Sequence, residues 1–427
     1  MRVLSAAATG LLAALLLHRP ALARTVPVDS TAGLIAAVVG ARPGDDIVLA
    51  DGTYVLPGDH GGSHGVDCLA AGTAAAPITV RAARPLGARI ESSAVEAFAV
   101  GAPYWHFDGL DIRGVCPDDS RCEHAFHVVG RAVGFAMRGN RVADFNAQLK
   151  VNAAGDDHAL PDDGLVEGNL FLDTHPRRTA NPVTPVNIDN AAGWVVRANL
   201  IRNFHKAGGD GVSYGAYAKG GARGPVFERN LVLCATGEES GEGGGGGGER
   251  IGLSFGGGGM APALCAPAWS GAAPCDPEVE GGVMRNNVVA DCSDVGVYLN
   301  RARDTRLLYN TLVATGGVVF RFAGSTGEAV GNVLASSIRT RQGGSVTMAD
   351  NLADLSPGQF RAWFRDPTQG DLRRSGDPGL LAGKGTPRPD LADDFCGRPR
   401  EGRPDLGAVQ LSAGGCALDW PLTDLPR

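Results

Sequence analysis

The segment GLVEGNLFLDT, from Gly164 to Thr174, places one short apolar strand before an asparagine and another after it. The same arrangement returns in GWVVRANLIRNF, from Gly193 to Phe204. A recurring unit of this length holds only short strands and cannot bury an apolar face alone, so copies must stack on one another. These two segments therefore indicate a solenoid.

The pattern of an asparagine followed by apolar residues occurs eight times. Its asparagines are Asn140, Asn169, Asn199, Asn230, Asn287, Asn310, Asn332 and Asn351. Only the interval from 230 to 287 is long, and removal of about thirty residues there would restore the rhythm. Eight unrelated turn asparagines are the alternative, but the apolar pair that follows most of them argues against it.

Each repeat contains three strand-like segments that are rich in Val, Leu and Ile, bounded by Gly or Asn, and without a helical period. Stacked in parallel, they predict an all-β fold, a single-stranded right-handed parallel β-helix of about ten rungs. We expect each asparagine to occupy a bend in the left-handed conformation. The asparagine side chains should form an axial stack, interrupted only by an insertion at residues 237–274.

The two ends of the solenoid need protection, because an open end exposes unpaired strand edges. A short amphipathic helix from about Thr31 to Val39 can cap the first end. After Leu352 the rhythm fades, FRAWFRDP suggests a short helix, and the remainder looks irregular. We therefore divide the chain into residues 1–23, a β-helix over 24–355, and an irregular capping segment over 356–427.

Residues 1–23 have the build of a secretory signal peptide: Arg2, an apolar run that ends near Leu17, and a small-x-small site at Ala21 to Ala23. A membrane anchor is the alternative, but the run is too short to span a bilayer, and no later segment is apolar enough to do so. The net charge of −7 argues against nucleic acid as a partner. We expect a secreted or periplasmic monomer.

The nine cysteines are compatible with disulfides in an exported protein. The candidate pairs are Cys116 with Cys122, Cys265 with Cys275, Cys396 with Cys416, and Cys234 with Cys292, which leaves Cys68 over. Sequence alone does not fix this connectivity. No pair has the CxxC spacing, which argues against zinc.

Two glycine blocks lie in GEGGGGGGERIGLSFGGGGM, from Gly241 to Met260. A phosphate-binding loop would need a following helix, and no helical pattern follows. The first block, residues 243–248, reads as a flexible insertion. The second, residues 256–259, follows a strand and would leave a trough in which a polymer can approach the backbone, with Gly257 at its floor. Slack in a loop is the alternative for both blocks.

The segment from Asn203 to Gly224 holds a cluster of polar side chains. Its candidate catalytic or binding residues are His205, Lys206, Asp210, Tyr214, Tyr217 and Lys219. β-Elimination from a uronic acid needs a cation at the carboxylate and a base for the α-proton, and this cluster supplies both. Period-two alternation puts Tyr214 and Tyr217 on opposite faces. A solvated polar face is the alternative reading.

A second cluster pairs Lys150 with Asp189 one rung further. Carboxylates on neighbouring rungs, Asp189 and Asp210, could hold calcium or serve as the paired acids of an inverting glycoside hydrolase. Arg301 and Arg321 continue a basic stripe that suits an anionic polysaccharide, although charged faces are often merely soluble.

The segments DDIVLADGTYVL (residues 45–56) and DDFCGRPREGRPDLGAVQ (residues 393–410), with the asparagine rungs, resemble secreted bacterial β-helix proteins of the pectate-lyase-like superfamily. Within it, the chain is most similar to the chondroitinase-B and alginate-lyase group. The resemblance implies polysaccharide chemistry with a Lys and an Arg on neighbouring rungs, often with calcium. The group's NKS and RHG-like motifs are absent, and the nearest basic residues are Lys150, Lys219 and Arg250.

The sequence thus favours a carbohydrate-active protein that cleaves an acidic polysaccharide by β-elimination. Lys219, Arg250, Tyr214 and His205 are the candidate catalytic residues; Lys150, Lys206, Tyr217, Gly257, Arg301 and Arg321 are the candidate substrate-binding residues; Asp189 and Asp210 are the candidate metal ligands. The alternatives are a hydrolase and a polysaccharide-binding or envelope-surface protein without catalysis.

The first prediction concerns export. If the signal peptide is cleaved after Ala23, the exported protein begins at Arg24 or within a residue or two of it. N-terminal sequencing or intact-mass measurement of protein recovered outside the cytoplasm tests this. Recovery of the exported protein with Met1 still attached would contradict it.

Overall fold

The computed structural model describes residues 24–58, 63–154, 158–235, 248–257, 265–267 and 275–418. The predicted signal peptide lies outside the described residues, as do most of the first glycine block and most of the predicted insertion. Among the described residues, no helix is long and apolar enough to cross a membrane.

The chain winds through three long sheets, and each complete turn, or rung, adds one strand to each sheet. Neighbouring strands in a sheet come from successive rungs and pair in parallel. The fold is therefore the predicted parallel β-helix. We name the sheets A, B and C in the order in which the chain visits them.

The strands are short. Sheet A consists of Thr25–Val28, Asp46–Leu49, Ile78–Ala82, Trp105–Asp108, Ala136–Arg138, Leu165–Glu167, Val195–Arg197, Val226–Glu228, Val283–Arg285, Thr305–Leu308, Gly327–Val330 and Thr347–Ala349. Sheet B consists of Gly52–Leu56, Ala88–Ser92, Asp111–Gly114, Arg141–Ala143, Leu170–Leu172, Leu200–Arg202, Leu231–Leu233, Val288–Ala290, Thr311–Val313 and Val333–Leu334. Sheet C consists of His64–Cys68, Glu96–Val100, His124–Val129, Ala147–Asn152, Val186–Asp189, Ser213–Lys219, Arg250–Phe255, Val297–Asn300, Val318–Arg321 and Ile338–Arg341.

The remaining elements are few. A small parallel sheet joins Ala222–Arg223, Val279–Glu280 and Ala302–Arg303; the 3₁₀ turns are Asp119–Arg121 and Pro367–Gln369; the helices are Thr31–Val39 and Pro357–Trp363; and an antiparallel pair joins Phe364–Asp366 and Asp371–Arg374.

The interior is filled by stacked apolar side chains from the three sheets. Aromatic rings form part of this stack: the Phe98 and Phe126 rings lie 5.3 Å apart in neighbouring rungs of sheet C, and Phe107 of sheet A packs 4.7 Å from Phe126. Because these side chains are fully buried, the rungs are held together by the hydrophobic effect as well as by strand pairing.

The asparagines form the predicted axial stack, here called the asparagine ladder, at the turn between sheets A and B. The backbone N–H of Asn169 and its Nδ2 both donate to Asn199 Oδ1, at 2.9 and 3.0 Å. Its Nδ2 also donates to the carbonyl of Met137. The pattern repeats from Asn140 to Asn351, so each amide satisfies backbone groups that the turn would otherwise bury unpaired.

Two details of the asparagine prediction are wrong. The ladder is not interrupted at the insertion, because Asn230 bonds directly to Asn287 Oδ1 at 3.0 Å. The left-handed residue is also not the asparagine but the residue before it, for example Gly168 or Ala198. That preceding residue turns the chain, which leaves the asparagine free to direct its amide along the axis.

The N-terminal helix Thr31–Val39 has the predicted bounds. The Ser30 side chain caps it by accepting a hydrogen bond from the Gly33 N–H. Leu34 and Val38 are fully buried and join the core, so the helix covers the first rungs.

The C-terminal residues run along the outer face of sheet B. Phe360 and Trp363 pack with sheet B leucines such as Leu200 and Leu231 in a second apolar cluster. The predicted helix in FRAWFRDP is correct only for its first half, since the chain is extended from Phe364 to Asp366. Burial of the outer sheet B face explains why the strands of that sheet are apolar on both sides.

The four expected disulfides are formed: Cys116–Cys122, Cys234–Cys292, Cys265–Cys275 and Cys396–Cys416. Cys68 is a buried free thiol. The Cys234–Cys292 bond joins the turns that follow Leu231–Leu233 and Val288–Ala290, which are paired strands of sheet B in neighbouring rungs.

The ladder predicts a graded loss of stability. Asn199→Ala leaves the Asn169 N–H and the Val166 carbonyl without their buried partners, so we expect it to lower the free energy of unfolding by about 3 kcal/mol or more. Asn351→Ala is the matched control, because Asn351 ends the ladder and is partly exposed. Urea unfolding measures both. Equal losses for the two variants would contradict a ladder whose strength depends on burial.

Candidate functional site

A cavity of about 320 Å³ opens on the outer face of sheet C. Its lining consists of Pro182, Val183, Thr184, Lys206, Asp210, Val212, Tyr214, Tyr217, Lys219 and Gly257. Most of these residues come from the strand Ser213–Lys219 and the loop before it. The structure therefore brings six of the sequence-predicted site residues to one cavity.

The strand Ser213–Lys219 does not alternate as expected. Strict alternation would separate Tyr214 from Tyr217, but both face outward, with ring centroids 5.4 Å apart in an edge-to-face contact. Gly215 and Ala216 are both buried on the inner side. Gly215 allows this because a Cβ there would lie 2.7 Å from the carbonyl oxygen of Gly252 in the next rung. The expected placement on opposite faces is wrong.

Lys219 extends from this strand towards a buried carboxylate. Its Nζ lies 4.0 Å from Asp189 Oδ1, and only 11% of the Lys219 side chain is exposed. Asp189 is its register neighbour on the preceding rung. On its other side, Asp189 accepts a hydrogen bond from Lys150 Nζ, and the same Nζ also donates to Asn187 Oδ1 at 3.1 Å. One carboxylate thus lies between two ammonium groups.

The Lys219 ammonium is held in its charged form. Burial opposes the charge, but Asp189 and Tyr217 outweigh it and raise the pKa of Lys219. The Nζ also lies 4.6 Å from the centroid of the Tyr217 ring, within cation–π distance. Lys219 is therefore a buried cation at the wall of the cavity, suited to receive an anionic group.

Two further titratable groups near Lys219 keep their protons more readily than usual. Burial raises the pKa of Tyr214, so its phenol stays protonated at neutral pH. Burial also raises the pKa of Glu278, whose carboxylate accepts a hydrogen bond from the Gly220 N–H at 2.8 Å. Glu278 was not identified from the sequence, because it lies outside any repeat motif.

Lys206 and Asp210 line the cavity as an ion pair, with Nζ 2.6 Å from Oδ1. The hydrogen bond from Lys206 lowers the pKa of Asp210. His205 is buried next to them but is not part of the lining. Its carbonyl oxygen accepts a hydrogen bond from the Arg177 N–H on the preceding rung.

Gly256 and Gly257 have different roles. Gly256 has a φ of +76°, and a Cβ there would lie 1.9 Å from the Asn300 carbonyl oxygen. Among the described residues, a Cβ on Gly257 would meet only Tyr217 Cδ1, at 4.0 Å. Gly256 is thus required by the backbone, whereas Gly257 leaves space beside Tyr217.

The sequence-predicted arginines lie outside the cavity. Arg250 is in register with Ser213 and interacts electrostatically with Asp291. Arg301 and Arg321 flank the Phe322 ring at 4.1 and 4.7 Å. Arg321 also donates to the Tyr298 hydroxyl at 2.9 Å, so these two arginines form a separate cluster on later rungs.

The carboxylates proposed for calcium do not suit it. Asp189 is in contact with Lys150 and Lys219, and Asp210 is paired with Lys206. Calcium takes six to eight oxygen ligands, whereas each of these carboxylates already faces ammonium groups. The two carboxylates therefore do not fit a calcium site.

A second polar group on sheet C escaped the sequence analysis. One ligand-type atom from each of Glu96, His124 and His127 lies within 4.8 Å of the others. The available signal was HAFH, residues 124–127, in which two histidines are three residues apart on one strand. Strict alternation puts residues three apart on opposite faces of a strand, so this spacing alone does not predict that the two histidines meet.

Comparisons with known proteins reveal similarity in structure only. No protein-family model matches the chain, and no curated protein matches it. Among solved structures, the pectate lyase Pel9A is 15% identical, covers 88% of this chain and 90% of its own, and has a TM-score of 0.57. An alginate lyase from Paenibacillus sp. str. FPU-7 is 17% identical, with coverages of 77% and 99% and a TM-score of 0.42. A rhamnogalacturonan lyase is 14% identical, with coverages of 84% and 92% and a TM-score of 0.43. The chain has the parallel β-helix fold of the pectate lyase.

Proposed function

We propose that the protein is an exported polysaccharide lyase whose cavity on sheet C binds a uronate residue of an acidic polysaccharide. The proposal rests on the buried Lys219 ammonium, which lies beside the two phenols of Tyr214 and Tyr217 in an open cavity. The similarity in fold to a pectate lyase is consistent with this proposal but does not assign an activity. The four disulfides support export, because they persist in oxidising compartments.

The reaction requires a proton to leave the carbon next to the uronate carboxylate. Its electron pair forms the new carbon–carbon double bond as the bond to the leaving oxygen breaks, and that oxygen takes up a proton. Lys219 neutralises the carboxylate and stabilises the enolate that develops. Tyr217 acts as the base in its phenolate form, paired with the Lys219 ammonium, and takes up the proton to become a phenol. Tyr214, which burial keeps protonated, supplies a proton to the leaving oxygen.

Lys206 and Lys150 add two ammonium groups to this face, each paired with a carboxylate. Lys206 lines the cavity, and Lys150 lies two rungs before the strand of Lys219 on the same face. Tyr298 and Arg321 continue the face on later rungs. Stacked rungs are about 4.8 Å apart, so a sugar chain lying along the solenoid axis would meet these groups in succession.

A hydrolytic mechanism with Asp189 and Asp210 is less well supported. An inverting hydrolase needs one carboxylic acid that holds a proton. The pKa of Asp210 is lowered by Lys206, and Asp189 contacts two lysines. Neither environment favours a proton donor.

An ultraviolet assay on a panel of uronate polysaccharides tests the proposal, since β-elimination creates an absorbing unsaturated uronate. Product absorbance supports the lyase. New reducing ends without absorbance would instead indicate hydrolysis, and binding without either product would indicate a polysaccharide-binding protein.

The lining of the cavity also predicts which cationic side chains are needed for turnover. Lys219→Ala and Tyr217→Phe should each lower turnover by about 10²-fold or more, because they remove the charge-stabilising group and the base. Arg250→Ala should leave turnover close to that of the wild type, because Arg250 does not line the cavity. Steady-state rates on the same substrate decide this. A loss in Arg250→Ala that equals the loss in Lys219→Ala would move the reaction centre away from this cavity.

Gly256 and Gly257 provide a matched pair of variants, one that tests binding and one that tests stability. Gly257→Leu should weaken polysaccharide binding while changing the thermal midpoint little, because among the described residues a Cβ there comes no closer than 4.0 Å to Tyr217 Cδ1. Gly256→Ala should lower the free energy of unfolding by about 1–3 kcal/mol, the cost of a strained left-handed residue, with the clash in addition. Affinity electrophoresis and thermal unfolding measure the two effects. Unchanged binding by Gly257→Leu would show that the sugar does not lie against this backbone.

A further inference from the structure

We propose that Glu96, His124 and His127 form a binding site for one divalent cation of the zinc class. The three residues lie on the outer face of sheet C and share none of the residues that line the cavity. This inference is independent of the proposed lyase activity, because neither its geometry nor its test involves a polysaccharide.

The strand geometry brings the three side chains together. Glu96 and His124 are register neighbours on adjacent rungs. His124 and His127 share the outer face because Ala125 and Phe126, between them, are both buried inward. The two imidazole centroids lie 5.0 Å apart, and one donor atom from each of the three residues lies within 4.8 Å of the others.

The environment of the His124 ring points to a ligand. Its Nδ1 is shielded from solvent and has no hydrogen-bond partner among the described residues. A buried polar atom without a partner is unfavourable, and native proteins rarely leave one without a reason. A metal ion within reach of this nitrogen would give it a partner.

His127 has the orientation of a metal ligand held by an outer partner. One nitrogen, Nδ1, lies 2.7 Å from Glu96 Oε1, and the other, Nε2, lies 2.8 Å from Asn152 Oδ1. Metal-bound histidines commonly donate their second ring N–H to a carboxylate or carbonyl oxygen, which fixes the ring. A cation between His127 Nδ1 and Glu96 would replace their mutual hydrogen bond and leave the one to Asn152 in place.

A third histidine, His64, lies next to Glu96 on the other side of the cluster. His64 Nε2 lies 3.3 Å from Glu96 Oε2, and its Nδ1 lies 2.7 Å from Asp67 Oδ1. His64 is the register neighbour of Glu96 on the preceding rung. It is thus the nearest further candidate for the fourth position of a tetrahedral site, with Asp67 as its own outer partner.

The ligand types select the cation. Two imidazoles and one carboxylate suit zinc and the neighbouring transition metals, whereas calcium requires many oxygen ligands. The cysteine spacing, which argued against zinc, has no bearing on a histidine and glutamate site.

Zinc titration of the untagged, full-length exported protein tests the proposal. The protein is first treated with a chelator that is then removed, and binding is followed by calorimetry and by metal analysis after dialysis. We expect one zinc per chain. Glu96→Gln and His127→Gln should weaken zinc binding by about 100-fold or more, and Asn152→Ala by about 10-fold, the range seen when an outer partner is lost. Calcium in excess should not compete.

His106→Gln is the matched control, because His106 is half-buried on sheet A, in register with Thr79 and Ala136 and away from the cluster. It should bind zinc as the wild type does. Circular dichroism and thermal unfolding without metal show whether each variant is folded. Absence of stoichiometric binding by the wild type, or wild-type affinity in folded Glu96→Gln and His127→Gln, would overturn the proposal.

Discussion

The rest of the structure depends on how the chain turns from sheet A to sheet B without burying unpaired backbone groups. A parallel β-helix repeats this turn at every rung, and each repetition would leave amide groups inside the protein. An asparagine can solve the problem alone, because its side chain both accepts and donates. Asn199 Oδ1 accepts two bonds from Asn169, while its own Nδ2 donates to the Val166 carbonyl and to Asn230. An aspartate could not donate, and a glutamine would be too long for the same register.

This constraint explains why so much of the fold could be predicted from sequence. The asparagine ladder needs one residue type at one position in each rung, so it leaves a visible period even where rung lengths vary. The asparagines at 230 and 287 are 57 residues apart in sequence yet bond directly, because the strand Arg250–Phe255, which lies between them in the chain, takes its regular place in sheet C. The left-handed residue could not be assigned in the same way, since Gly168, Ala198 and Arg229 share the φ region but no common side chain.

The outer face of sheet C was predicted less well, and the reason is a local break in alternation. Two consecutive residues face inward in several of its strands, Gly215 with Ala216 in one and Ala125 with Phe126 in another. As a result, residues three apart share the outer face: Tyr214 with Tyr217, and His124 with His127. Period-two reasoning separates each of these pairs. The polar cluster in the sequence therefore predicted most of the side chains that line the cavity, but alternation did not predict the contact between the two phenols or the histidine cluster.

Register along the solenoid then decides which chemistry each rung contributes. His127, Lys150, Asn187 and Tyr217 occupy successive positions of one row on sheet C, and Asp189 and Lys219 belong to the next row. Asp189 lies between lysines from both neighbouring rungs, and Lys219 also interacts with Glu278. Ammonium and carboxyl groups therefore alternate along this stretch of the face. The histidine cluster lies at the end of the same row, which His127 begins. A single face thus presents paired lysines and carboxylates and, a few rungs away, a set of candidate metal ligands, because the side chains change from rung to rung while the register stays fixed.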